Sequence, residues 1–432
     1  MKYVIVGNGV AGTTAARTLR QRDPQAQITL VSGESDYFFS RTALMYAYMD
    51  RMTLRDLEPF ERKSYDVQRI ERRRGWVTDL NATAQVLVFA DGGTLGYDRL
   101  LLAVGSTPQR ASWPGLDQVK DGVTHFVALD DLASCERLTP STRRAVVVGG
   151  GLIGVELVEC LRHHGVAVDF LVRDASYWPA ALSAEEGQVI AEEIERHGVR
   201  LRLSTEVAAV SGDEQTSRVS SILTSQGEEI ACQMLGVCIG VRPGVDWLKA
   251  VQTPPAMGRG IQVGPDFRTS LPDVWSAGDC AEFAGAGEAS PLLEQIWYAA
   301  KRQGELAARA MLGDAVHYRP PLFFNSAKFF EVEYTTVGQA VKLPEDAVAF
   351  AHRVPGQRAT VRIAARQGVV MGFNMLGARW DHQQLETWIR ERRSMDEVMA
   401  SLHRAQFDVE FGRLPLLSVR AAYAAWRTAR AA

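Results

Sequence analysis

Met1-Lys2-Tyr3-Val4-Ile5-Val6-Gly7-Asn8-Gly9-Val10-Ala11-Gly12 is the stretch on which the reading of this chain turns. Residues 3–6 form a short apolar run of strand character, glycines follow at the first, third and sixth places of a turn, and residues 13–19 continue as a helix. In that context Gly7 permits the tight turn, Gly9 lets backbone approach a pyrophosphate, and Gly12 lets the helix pack close to the strand, so that its N-terminal amides face the phosphates. A second apolar strand at 28–31 completes a βαβ unit. Glu34, 22 residues beyond Gly12, is then placed to accept hydrogen bonds from an adenosine ribose. Glycine turns also join strands to helices for structural reasons alone, and a single glutamate is more often a solvated loop acid. The combination, at this spacing, predicts a dinucleotide site.

The pattern recurs at residue 144. Ala145-Val146-Val147-Val148 is an apolar strand, Gly149-Gly150-Gly151-Leu152-Ile153-Gly154 repeats the glycine spacing, 155–163 reads as a helix and 167–172 as the next strand. Two complete phosphate-binding turns argue for two dinucleotides rather than one site and a decayed copy.

With 432 residues and a formal net charge of −3, the chain is long enough for two to four globular domains and gives no electrostatic case for a nucleic-acid partner. The longest apolar stretch, 145–161, is broken by glycines and by Glu156 and Glu159, so no membrane span is expected. A strand occupies the N-terminus where a signal peptide would lie, and a cytoplasmic location is expected. Cys135, Cys160, Cys232, Cys238 and Cys280 show neither a CxxC pair nor metal-ligand spacing, and none is assigned a redox or metal role.

Between the two turns, 36–52 reads as a loop leading into a helix-compatible run, 65–89 as short strands and 95–104 as one strand ending at Gly105. Beyond them, Ser276-Ala277-Gly278-Asp279 follows a short strand, and a helix runs over 294–311. Strands at 328–337, 359–364 and 369–374 and two helices over 382–403 look like a separate α+β domain. A terminal amphipathic helix covers 416–432.

These motifs together resemble the pyridine-nucleotide oxidoreductases, the two-dinucleotide flavoprotein reductases that include glutathione reductase, NADH oxidase, coenzyme A disulfide reductase, rubredoxin reductase and the ferredoxin reductases of oxygenase systems. The resemblance covers about the first 340 residues. It implies an α/β fold with two Rossmann-like domains and a C-terminal α+β interface domain. The implied order is an FAD domain at 1–115, an NAD(P) domain at 116–258, the rest of the FAD domain at 259–319, and an interface domain at 320–432 that forms a homodimer. By the same resemblance Gly7, Gly9, Gly12, Glu34, Arg41, Gly105, Gly278, Asp279 and Gln303 hold FAD, with Asp279 on the ribityl chain and the amides of Gln303 and Gly304 facing the flavin pyrimidine. Gly149, Gly151, Gly154, Glu156, Arg173 and Gly240 hold the nicotinamide cofactor, with Glu156 beside the nicotinamide. Relatives that prefer NAD carry an acid after the second strand of this unit. Here Arg173 stands there, followed by Asp174, and the arginine favours NADPH.

Departures from the family narrow the chemistry. Disulfide reductases carry a cysteine pair near the first glycine turn, and coenzyme A disulfide reductases and NADH oxidases one cysteine. This chain has Ser40-Arg41-Thr42-Ala43-Leu44-Met45-Tyr46 and no cysteine before Cys135. The stretch resembles the ferredoxin-reductase version, with Tyr46 in place of its lysine. The implied reaction passes hydride from nicotinamide to flavin N5 and then electrons directly to a ferredoxin, a rubredoxin or a small oxidant. Arg62, Lys63, Arg69, Arg72, Arg73 and Arg74 form a basic stretch suited to an acidic redox protein or, more ordinarily, a solvated hairpin face. Two alternatives remain. One is a quinone reductase resting on a membrane through Leu416, Val419, Tyr423 and Trp426. The other is a redox-responsive interaction protein resembling apoptosis-inducing factor, with Trp380, Trp388 and Trp426 read as an exposed partner surface.

Overall fold

The computed structural model describes residues 1–284, 291–407, 410 and 414–431; residue 432, the last of the predicted terminal helix, lies outside them. The chain divides into two compact units. One comprises Met1–Arg110, Val127–Ala133 and Gly240–Pro321, the other Ala111–Phe126, Ser134–Ile239 and Leu322–Ala432.

The first unit is built on a five-stranded parallel sheet in the order Val274–Ser276, Arg99–Leu102, Lys2–Val6, Gln27–Ser32, Ile70–Arg74. Its inner strands are continuous apolar runs because both faces are covered; Ile5, Leu100, Leu101 and Leu102 have no exposed surface. Each such side chain contributes roughly 1.5–3 kcal/mol by leaving water. The helix Val10–Arg22 buries Ala11, Ala15, Ala16 and Leu19. Small residues let the helix Trp297–Met311 approach so closely that a Cβ on Gly304 would lie 2.2 Å from the Ala11 carbonyl oxygen.

The predicted single strand at 95–104 is two strands in different sheets. Thr94–Gly96 closes an antiparallel meander with Val77–Asn81 and Val86–Phe89, while Arg99–Leu102 joins the parallel sheet. The switch falls at one peptide: Tyr97 N–H donates to Gln85 O, and the next amide, Asp98 N–H, to Lys2 O. The helical run expected before Met52 shrinks to a 3-10 turn at Arg41–Ala43 and the short helix Leu44–Tyr48.

The second unit repeats the parallel design in the order Arg200–Arg202, Ala167–Leu171, Arg144–Val148, Met234–Val237, Val123–Thr124. Its C-terminal part is a five-stranded antiparallel sheet in the order Phe324–Phe329, Val332–Gly338, Val369–Leu376, Thr360–Arg366, Ala347–Arg353. The predicted strand at 328–337 is therefore a hairpin. Phe330 makes the reversal at φ 53°, a left-handed conformation uncommon for a phenylalanine, with its ring stacked on His197 at 4.3 Å.

Candidate functional site

The first glycine turn separates two kinds of glycine. At Gly7, φ is +108° and an added Cβ would lie 2.0 Å from Ala103 O; at Gly12 it would lie 1.9 Å from Gly7 O. Both are demanded by the protein's own backbone. Gly9 is different: its φ is −66°, open to any residue, and an added Cβ meets nothing within 4 Å. No side chain caps the helix Val10–Arg22 at its N-terminus, which leaves first-turn amides for an anion. The empty approach, the free donors and the glycine without an internal reason fit a bound pyrophosphate.

Asn8 ties this turn to the next loop, its Nδ2 donating to Ser35 O at 2.8 Å and to Ser35 Oγ at 3.1 Å. Glu34 in that loop is no free solvated acid. Its Oε1 accepts from Arg41 Nη1 at 3.0 Å and from the Leu129 amide at 2.9 Å, and its Oε2 accepts from Arg41 Nη2. A carboxylate has about four lone-pair sites, so acceptor capacity remains for a ribose. Arg41 also donates to Val127 O at 2.9 Å and lies over the Phe39 ring. Nothing local in the sequence announces the partnership of Glu34 with residues 127–129.

Asp279 accepts a 2.8 Å hydrogen bond from Ser106 Oγ. Burial raises its carboxyl above the usual range, opposed by Ser106 and by the charge of Arg41, so Arg41 and Asp279 share one electrostatic neighbourhood. Gly105, at φ +67°, precedes Ser106 and faces open space, and Gly278, at φ +83°, precedes Asp279. Gln303 is fully buried and its Oε1 accepts the Gly278 amide at 2.8 Å. Gln303 and Gly304 lie in mid-helix, where backbone amides are engaged within the helix. Gln303 thus acts on the Asp279 turn through its side chain, a role the sequence reading did not foresee. Tyr46, on the short helix after Arg41, is half-buried.

In the second unit the steric logic repeats. A Cβ on Gly149 (φ +114°) would lie 2.1 Å from Cys238 O and one on Gly154 2.0 Å from Gly149 O, whereas Gly151 meets nothing within 4 Å and has φ −84°. Its helix, Leu152–His163, also lacks a side-chain cap. One turn along it, Glu156 is pushed up to about 8 by burial and by the neighbouring Glu159, so near neutral pH it is largely an uncharged acid able to donate. Arg173 is exposed at the end of the adjacent strand, and Asp174 beside it is half-buried. Gly240, at φ +108° with open space around its Cβ position, falls in the first unit, where its carbonyl accepts from the Gln109 amide.

All five cysteines are buried and none is in a disulfide. Cys280, next to Asp279, turns inward with Sγ 3.5 Å from Leu102 O, and burial raises its thiol. Much of the basic stretch is neutralised locally: Arg62 pairs with Glu58, Arg72 with Asp66 and Arg73 with Asp91. Glu193, His197 and Glu331 come close enough to hold a metal ion, yet Arg196 and Arg358 bond both carboxylates. The tryptophans read as exposed are not: Trp380 and Trp388 are buried, and Trp426 packs at 5.9 Å from Phe350. Val419 and Tyr423 of the terminal helix Leu416–Ala431 are buried in the same core, so its apolar stripe is spent on its own domain. Among the described residues no helix is long and apolar enough to cross a membrane.

Residues 1–311 match the sequence profile of the family described as pyridine nucleotide-disulphide oxidoreductase. The chain belongs to that family. It is 32% identical over 311 residues to the ferredoxin reductase component of a chlorobenzene dioxygenase from Cupriavidus sp. (strain PS12), covering 72% of this chain and 74% of the relative. It is 28% identical over 389 residues to the ferredoxin reductase subunit of a 5,5'-dehydrodivanillate O-demethylase from Sphingobium sp., covering 88% and 91%. The fold matches that in a covalent putidaredoxin reductase–putidaredoxin complex with a TM-score of 0.80 and 22% identity, over 90% of this chain and 93% of that one. Membership makes the chain an FAD-dependent NAD(P)H:acceptor oxidoreductase with two Rossmann-like domains.

Proposed function

We propose that this enzyme carries electrons from NADPH, in preference to NADH, through FAD to a small iron–sulfur protein of ferredoxin type, with no thiol relay. The observation that carries the two-cofactor part is the pair Gly9 and Gly151, glycines that no internal contact and no backbone angle requires, each at an uncapped helix start. The direct transfer rests on the burial of every cysteine, and the acceptor class on the relatives named as ferredoxin reductase components.

FAD, when bound, supplies the redox chemistry by taking hydride from the nicotinamide and releasing electrons to the acceptor. The chain's own residues bind and orient. Amides after Gly9 hold the pyrophosphate, Glu34 accepts ribose hydroxyls, and Arg41 adds positive charge nearby. Asp279, fixed by Ser106 and by the Gln303-held turn, accepts ribityl hydroxyls. Amides after Gly151 hold the second pyrophosphate, Glu156 donates as a neutral acid beside the nicotinamide, and Arg173 pairs with the 2′-phosphate. A homodimer through the C-terminal sheet and helices completes the proposal.

The test is anaerobic mixing of the purified protein with NADPH and, separately, NADH, followed by a ferredoxin. Rapid bleaching of the visible flavin band and reduction of the ferredoxin are expected. Absent bleaching with both donors would sink the reading.

A further inference from the structure

Among the described residues Trp76 is the one exposed tryptophan, 64% accessible, while Trp275, Trp380 and Trp388 are buried. Leaving so large an apolar ring in water is costly, and its position shows what could cover it. The strands Lys2–Val6, Gln27–Ser32 and Ile70–Arg74 are neighbours in parallel register, so their C-terminal ends form a row. Gly9 follows the first, Glu34 the second and Trp76 the third. The Gly75 amide donates to Ser32 O, extending the pairing to the residue before Trp76, and Trp76 O accepts the Ala90 amide. Both backbone bonds fix where the ring is rooted.

The ring lies on Gly33. A Cβ added there would fall 2.2, 2.4 and 2.5 Å from Cδ2, Cε2 and Cε3 of Trp76. Cδ2 is a ring-fusion atom that cannot be approached in plane, so the contact is with a face of the indole. Gly33 does not occupy the left-handed region; what requires a glycine there is the seated ring. One face of the indole is therefore spent on Gly33, immediately before Glu34, and the other is open.

We infer that Trp76 stacks on the adenine of the dinucleotide held by the first glycine turn, a specificity contact for FAD over flavins without a base. This rests on the FAD reading above. Pyrophosphate, ribose and base follow one another covalently, and with pyrophosphate at the first strand end and ribose at the second, the base falls at the third. Adjacent strands are about 4.8 Å apart, so the row advances in small even steps. An aromatic face is a sequence-tolerant partner for a purine, and its loss weakens base binding by roughly tenfold or more.

The experiment compares wild-type holoenzyme with Trp76→Phe and Trp76→Leu. Both variants keep an apolar cover on Gly33, and only the first keeps an aromatic face. The FAD dissociation constant is read from flavin released on dilution and ultrafiltration, and folding from thermal melts. The leucine variant is expected to bind FAD roughly tenfold more weakly, the phenylalanine variant within about threefold of wild type, and FMN binding to the stripped proteins to be the same in all three. Equal FAD affinity in the two variants, whether retained or lost, would overturn the proposal. Wild-type protein purified and reconstituted without any flavin would instead overturn the FAD reading itself, before the variants are compared.

Discussion

The side chain of Gln303 holds the backbone of Gly278: its Oε1 accepts the amide at 2.8 Å, while its Nε2 donates to Glu294 Oε2 at 3.1 Å. Tyr318 donates to the same Glu294 oxygen at 2.5 Å, so the turn before Asp279 is braced by a chain of side chains. Replacing Gln303 by Leu strands a buried donor, at a cost of about 1–3 kcal/mol. A lower urea midpoint and a smaller flavin-to-protein absorbance ratio are expected. Gln303→Glu keeps an acceptor for Gly278 but sets a second carboxylate beside Glu294, and should hold flavin less well than wild type. An unchanged ratio in both variants would show that the brace does not reach the cofactor.

The glycines can be sorted by alanine substitution. Gly12→Ala drives a Cβ to 1.9 Å from a carbonyl oxygen and should abolish soluble, cooperatively melting protein. Gly9→Ala meets nothing, and should melt as flavin-stripped wild type does and emerge without yellow colour. Gly151→Ala should stay yellow and lose bleaching by NADPH. Circular dichroism melts and visible spectra of the three decide the matter, and a folded, yellow Gly9→Ala protein would remove the pyrophosphate from that turn.

Glu156 gives a pH signature. Burial first, then Glu159, raise its carboxyl to about 8 from an ordinary 4.5. The folded state thus holds a proton that the unfolded chain gives up, and stability falls as pH rises between those values. Glu156→Gln removes the slope. In urea unfolding the variant's advantage over wild type should be negligible near about pH 4 and grow towards about pH 9. A constant difference across that range would mean that Glu156 ionises normally.

The opposite sign applies to Glu193. Burial alone would raise it, but Arg196, Arg358 and the Glu331 amide outweigh burial and hold the carboxyl down to about 2. Its contribution is full above the ordinary 4.5 and fades as pH falls towards 2. Glu193→Gln should therefore be less stable than wild type near neutrality, the gap closing through that acidic window. A gap that persists in acid would assign the loss to packing.

Arg173, exposed after its strand, should discriminate cofactors without touching the fold. If Arg173 pairs with the 2′-phosphate as proposed, Arg173→Ala would remove hydrogen bonds to a dianionic group, worth about 1.5–3 kcal/mol, roughly ten- to a hundredfold. The KM for NADPH should rise by that order while that for NADH stays level. Equal effects on both would return Arg173 to the solvent.

What the sequence disclosed was local. Both glycine turns, with their strands and helices, were legible because the steric demand at Gly12 and Gly154 comes from Gly7 and Gly149 within the same turn, although Gly7 and Gly149 themselves answer to the distant carbonyls of Ala103 and Cys238. The Asp279 motif could also be read, but not its brace, since Gln303 reaches back 25 residues to Gly278. Glu34 was picked out by spacing, while its tie to Leu129 spans 95 residues. The reversal at Phe330 carries no glycine, asparagine or proline; its stack on His197 is a tertiary contact. Trp380 and Trp388 were misjudged because their helix and loop are polar on the other side, and only the packed sheet reveals which side is covered.

The two kinds of glycine in each turn have a consequence for how inherited variation in this protein is interpreted. Changes at Gly7, Gly12, Gly149 or Gly154 would be flagged by any assay of abundance, because the chain itself rejects them. Changes at Gly9 or Gly151 would pass unnoticed, leaving normal amounts of a well-made and inert protein. A catalogue of variants scored by expression alone would label as harmless the two positions where a single methyl group is expected to silence the enzyme.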